Sequence, residues 1–162
     1  MIAELDAAGV HPQKILITHY DVDHIGNMAM LSEHYSAEVW IPQEDAPYVT
    51  GEKARPGIKR MIGAMIKVDM PKAWSTIGAG HEVGGLYAVA SPGHTPGHLA
   101  YRADQVLFVG DAFRTRGDQV IPSPRFLAWD RDLEKTSRAR LLGDFAGWIC
   151  PAHGEPLAWP PL

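Results

Sequence analysis

At 162 residues, 46% apolar and 21% charged, the sequence has the size and balance of one folded domain over residues 1–162 and excludes a disordered or fibrous polymer. A formal charge of −4 with no block of Lys or Arg excludes the electrostatic footprint of a phosphate-backbone binder, so nucleic acid is not an expected partner. A single cysteine, Cys150, forms no internal disulfide and no run reaches the ~18 apolar residues that span a bilayer, which points to a soluble cytoplasmic protein without a membrane partner.

In chain order, Ile2, Leu5 and Ala8 fall on one face of a short helix that Gly9 stops. Lys14 to Thr18 reads as a strand buried on both faces, Ile25 to Tyr35 as a helix and Glu38 to Ile41 as a second strand closed by Pro42. Residues 43–75 are broken by Pro47, Pro56 and Pro71. Within them Ile58, Met61, Ile62, Met65 and Ile66 keep a helical spacing beside Arg55, Lys59 and Arg60, and the reading favoured is a core-facing helix over a substrate lid. From Glu82 the pattern turns to short strands: 82–83, 86–90, 99–102 and 106–109, the last two joined by Ala103-Asp104-Gln105. Asp132 is placed to cap a helix running to about Leu142, and Trp148 to Cys150 forms a final strand before the tail 156–162.

Chemistry-bearing side chains collect at the ends of these strands. His19-Tyr20-Asp21-Val22-Asp23-His24 offers four metal ligands in six residues, although Asp23 alone could serve as a helix cap. Ser91-Pro92-Gly93-His94-Thr95-Pro96-Gly97-His98 fixes His94 in a tight turn after a strand. Gly110-Asp111 ends one apolar strand and Pro151-Ala152-His153-Gly154 ends another. Four strand ends that each deliver His or Asp are hard to explain by packing. His98 is expected to support a ligand or fill the core, and His11, His34 and His81 carry no assigned role.

The ordered set His-x-Asp-x-Asp-His, Pro-Gly-His-Thr-Pro-Gly-His, Gly-Asp and Ala-His-Gly resembles the metallo-β-lactamase superfamily over about residues 1–156. The resemblance implies an α/β fold, a four-layer αβ/βα sandwich, here N-terminally shortened. It also implies a binuclear centre of two divalent metal ions, with zinc first and iron or manganese as options. His19, Asp21 and His94 would hold one ion, Asp23, His24 and His153 the other, and Asp111 would bridge them.

Asp21 stands where the commonest superfamily pattern has histidine. With a bridging hydroxide the three aspartates would neutralise two divalent ions, and a neutral cluster should attract anionic substrates less. The strands that usually precede the first motif have no counterpart, so an open sheet edge and apolar face are expected, to be covered in a homodimer. The implied activity is hydrolysis of an ester, thioester or lactone-type bond in a small-molecule substrate by metal-bound hydroxide, with Asp23 as proton shuttle. The alternatives are an iron-dependent redox enzyme of the same fold and a non-catalytic metal-binding domain.

Overall fold

The computed structural model describes residues 1–57, 59–66, 68–143 and 145–160, the side chains of 62–64 apart. In chain order it contains α1 (Ile2–Ala7), β1 (Lys14–Leu16), α2 (Val22–Ile25), α3 (Met28–Tyr35), β2 (Glu38–Pro42), α4 (Ala46–Val49) and α5 (Lys59–Met65). Then follow β3 (Trp74–Ile77), β4 (Glu82–Val83), β5 (Leu86–Ala90), β6 (Leu99–Ala103), β7 (Val106–Gly110), β8 (Arg114–Arg116) and β9 (Gln119–Ile121). The chain closes with α6 (Arg131–Gly143), β10 (Gly147–Pro151) and β11 (Leu157–Trp159).

Side-chain alternation builds the layers. In β2, Val39 and Ile41 point to one core with Ile17, Ile25, Met28 and Val49, under α2, α3 and α4. Trp40, between them in sequence, packs the other way with Leu16 against Ile77, Ala88, Leu99 and Tyr101. In the second sheet Ala100, Leu107, Val109 and Ile149 face outward onto Leu141 of α6 and Phe145. The result is helices, a parallel sheet β1-β2-β3, a mixed sheet β11-β10-β7-β6-β5-β4, and a helix, which agrees with the expected sandwich. No helix among the described residues is long and apolar enough to cross a membrane.

The three-stranded sheet leaves part of its larger partner uncovered. Tyr101 pairs with Phe108, and Phe108 with Cys150, so all three share the inter-sheet face with Trp148. Tyr101 is 3% exposed there, whereas Phe108 is 42% and Trp148 53% exposed.

Several local expectations change. The helix expected from Ile25 to Tyr35 is two helices, α2 and α3, separated at Gly26-Asn27. Asp21, not Asp23, occupies the N-cap position of α2, which frees Asp23 from the capping role. Asp130, not Asp132, caps α6, its Oδ1 accepting from the backbone N–H groups of Asp132 and Leu133 at 3.0 Å each. Strands β3, β8, β9 and β11 add to those expected.

The core-facing reading of α5 is overturned where the side chains are described: Met61 is 69%, Met65 84% and Ile66 47% exposed. Ile58 and the side chain of Ile62 lie outside the described residues. Among the described side chains of α5, the buried one is its first, Lys59. That lysine forms an ion pair with Asp21, Nζ to Oδ2 at 2.7 Å.

Candidate metal centre

The first sheet supplies one half of the centre. The chain leaves β1 extended, so His19 and Asp21 project together, and Thr18 Oγ1 lies 3.0 Å from His19 Nδ1, which orients the ring with Nε2 toward the site. The turn into α2 then brings Asp23 and His24 to the adjacent position. The second sheet supplies the rest: His94 from the β5–β6 turn, Asp111 from the end of β7, and His153 from beyond β10.

Close backbone approach makes this convergence possible. Gly110 has φ +50, and a Cβ there would sit 2.9 Å from His98 Nε2 and from Thr18. A Cβ at Gly97 would meet the Asp45 backbone nitrogen at 2.6 Å. Because β7 and β10 are parallel, with Gly110 opposite Pro151 and the Ala152 N–H donating to the Gly110 carbonyl at 3.0 Å, His153 emerges beside Asp111.

All seven residues expected from the sequence meet. His94 Nε2 lies 2.9 Å and His19 Nε2 3.5 Å from Asp21 Oδ2. On the other side His24 and His153 Nε2 lie 3.6 and 3.5 Å from Asp23 Oδ2. Asp111 stands between, its Oδ2 3.5 Å from His94 Nε2 and 4.0 Å from His19 Nε2, its Oδ1 3.6 Å from His24 Nε2 and 3.5 Å from His153 Nε2. Ligand atoms of His19, Asp21 and His94, of His19, His24 and Asp111, and of Asp23, His24 and His153 each gather within 4.8 Å. His19 Nε2 and Asp111 Oδ1 are buried without a hydrogen-bond partner among the described residues, the arrangement expected of atoms that a cation satisfies. The donor set of imidazoles and carboxylates fits zinc, iron or manganese.

Burial grades the two halves. His19 and His94 are fully buried, while Asp23 and His153 are open to solvent. Burial holds His19 well below the usual histidine range, so the ring is neutral and its lone pair is free for a cation. Burial would raise Asp21, but the imidazoles of His19 and His94 beside it and the charge of Lys59 hold its carboxyl well below the usual range.

Three supporting residues complete the site. His98 behaves as expected, Nδ1 donating to Ser91 Oγ at 2.7 Å while Nε2 accepts the Asp111 N–H at 3.2 Å. Asp45 was not legible in the sequence. Its buried carboxylate accepts from the Tyr20 N–H at 3.2 Å, Thr95 Oγ1 at 2.6 Å and the Gly97 N–H at 2.7 Å, and so ties the first motif to the Pro-Gly-His turn. Lys59 was hidden within an apolar stripe, and its Nζ lies 2.7 Å from Asp21 Oδ2. That ammonium sets one positive charge against the Asp21 carboxylate.

Above the ligands opens a cavity of about 540 Å³, of small-molecule size, with Arg55, Lys59, Arg114, Ile66 and Leu127 in its walls and Asp21, Asp23, Asp111 and His153 at its base. The three cationic side chains of the walls thus face three aspartates at the base.

The chain matches the metallo-beta-lactamase superfamily over residues 2–153. It is 35% identical to the probable metallo-hydrolase YflN of Bacillus subtilis (strain 168), a match that covers 92% of this chain and 67% of that protein. It is 32% identical to the hydroxyacylglutathione hydrolase of Dechloromonas aromatica (strain RCB) over 68% of this chain and 35% of that one. The solved di-iron-bound form of TTHA1623 superposes with a TM-score of 0.75 at 25% identity, over 97% of this chain and 77% of that one. With the strand ends, the sandwich and the match across nearly its whole length in agreement, this chain belongs to the metallo-β-lactamase superfamily and is a metallo-hydrolase.

Proposed function

We propose that this hydrolase works with two divalent ions, His19, Asp21 and His94 holding the first, Asp23, His24 and His153 the second, and Asp111 bridging them. The observation that carries this reading is the two-sided environment of Asp111, each oxygen of which faces the imidazoles of a different half. When bound, such a pair lowers the pKa of a coordinated water to about 7 and polarises a substrate carbonyl.

The chain's own residues do the rest. Asp23, 61% exposed in its side chain and within 3.6 Å of His24 Nε2, is placed to exchange a proton with solvent. The buried, neutral imidazole of His19 stays fixed through Thr18, and His98 holds the Asp111 main chain in place. The cavity admits a small molecule with its scissile bond over Asp111, Arg55 and Arg114 offering charge to an anionic part and Ile66 and Leu127 apolar contact. The class we favour is an ester, thioester or lactone. The relationship to an enzyme that acts on hydroxyacylglutathione, an acyl conjugate, supports it. Zinc is the first choice of metal, the pairing of two chains into a homodimer belongs to the same proposal, and the lone thiol Cys150 suits a reducing, cytoplasmic setting.

His24→Ala and His153→Ala should each lower metal content at the second position and reduce hydrolysis of an activated ester by at least about a hundredfold. Asp111→Asn should weaken both positions together. Two ions retained at wild-type affinity in Asp111→Asn would refute the bridging role. Similarity to a di-iron protein keeps an iron-dependent redox reading as the rival, and stoichiometric iron with oxygen consumption in the purified protein would favour it.

A further inference from the structure

A buried lysine is stable in a folded protein only where an acceptor meets it. Lys59 is 5% exposed, with its Nζ 2.7 Å from Asp21 Oδ2 and donating to the His94 carbonyl oxygen at 3.1 Å. The same carboxylate oxygen faces His94 Nε2 at 2.9 Å and His19 Nε2 at 3.5 Å. One oxygen is therefore shared between the imidazoles of the first metal position and an ammonium whose other hydrogen bond goes to main chain. Tyr20 lies against the pair, its ring 5.4 Å from Nζ, which keeps the lysine out of bulk water.

We propose that Lys59 is the charge counterpart of Asp21: the pair presents the first metal position with the net charge of a neutral imidazole, and the ammonium weakens the grip of Asp21 on the ion. This rests on the reading of Asp21 as a ligand. The charge count is direct. A centre with histidine at position 21 would have two carboxylates, Asp23 and Asp111. This chain has a third in Asp21, and Lys59 cancels it. The ammonium acts in two ways that share a sign. It repels a divalent ion a few ångströms away, and it satisfies Asp21 when no ion is bound, which removes part of the drive to bind one. A lysine that merely anchored α5 over the site would act in the opposite direction, since its loss would loosen Asp21 and weaken binding.

The test is a titration of zinc chloride into metal-free protein against a chromophoric chelator, with thermal melting of the same samples. Lys59→Met should bind the first zinc about tenfold tighter or more and melt at a lower temperature when metal-free, while Lys59→Arg stays near wild type in both. Unchanged or weaker zinc binding by Lys59→Met overturns the proposal. A second comparison covers the case in which metal-free Lys59→Met does not fold. Asp21→His sets an imidazole against an uncompensated ammonium, so Asp21→His should bind zinc more weakly than Asp21→His with Lys59→Met, and equal affinities overturn the pairing. Asp21→Ala separates the two layers of the argument. Full zinc binding in that variant overturns the ligand role itself, whereas weak binding beside a silent Lys59→Met overturns the pairing alone.

Discussion

Asp45 has no metal ligand among its hydrogen-bond donors, yet it fixes the distance between two ligand-bearing loops. Burial outweighs the three hydrogen bonds it accepts from Thr95, Gly97 and Tyr20 and pushes its carboxyl up to about 6 from 3.8. An acid whose pKa is raised on folding binds its proton more tightly in the folded chain. Its contribution to stability is therefore fully present below about pH 4 and is lost as pH rises through 6. With metal-free protein, the stability of wild type relative to Asp45→Asn should fall by up to about 3 kcal/mol between pH 4 and pH 7. Denaturant melts at a series of pH values measure this, and a difference that stays flat would show that the Asp45 proton is not linked to folding. The candidate ligands were readable because each is a His or Asp at the end of an apolar run. Asp45 and Lys59 were not, because their significance lies in partners 25 or more residues away: Tyr20 and Gly97 for Asp45, Asp21 and His94 for Lys59.

At the scale of elements, alternation and turn chemistry were the dependable signals. Strands β5, β6 and β7 fall where alternate burial and the Asp104 turn require them, with Asp104 at φ +46 closing the hairpin. Strand β3 was hidden in the proline-broken stretch, because its residues Trp74, Ser75 and Thr76 acquire their meaning only from parallel pairing with β2. Helix α5 shows how periodicity misleads. Its apolar residues repeat as in a buried helix, but among the described side chains Lys59 is the buried one, paired with Asp21, while Met61 and Met65 lie at the surface and Ile66 lines the cavity. Met61→Ser with Met65→Ser should leave stability within about 0.5 kcal/mol of wild type, as surface changes do, whereas Ile66→Ser, in the cavity wall, should shift KM for the apolar part of a substrate. A drop of several degrees in Tm for the methionine pair would restore the core-facing reading.

At the scale of the whole molecule, the centre joins the two sheets. His19, Asp21, Asp23 and His24 come from the edge of the parallel sheet, and His94, Asp111 and His153 from the mixed one, so the candidate ligands meet between halves built on separate cores. The overall architecture was legible from the order of motifs, but how far the smaller sheet covers the larger was not, because that depends on where β1 sits over β6 and β7. What it leaves open is an apolar face: Phe108 and Trp148 stand on adjacent parallel strands with half-buried Cys150 between them in register. Single exposed aromatics are ordinary, but two neighbours on one sheet face form a patch, and each Å² covered is worth roughly 25 cal/mol. A two-fold axis lets the same patch meet its own copy, the commonest closed symmetry for soluble oligomers. Light scattering at low micromolar concentration should therefore report twice 17.8 kDa for the wild type. Trp148→Glu or Phe108→Glu, each placing a charge where the copies meet, should return a folded monomer. A wild type that is already monomeric with a cooperative melt would rule out the dimer and leave the Phe108–Trp148 face as ordinary surface.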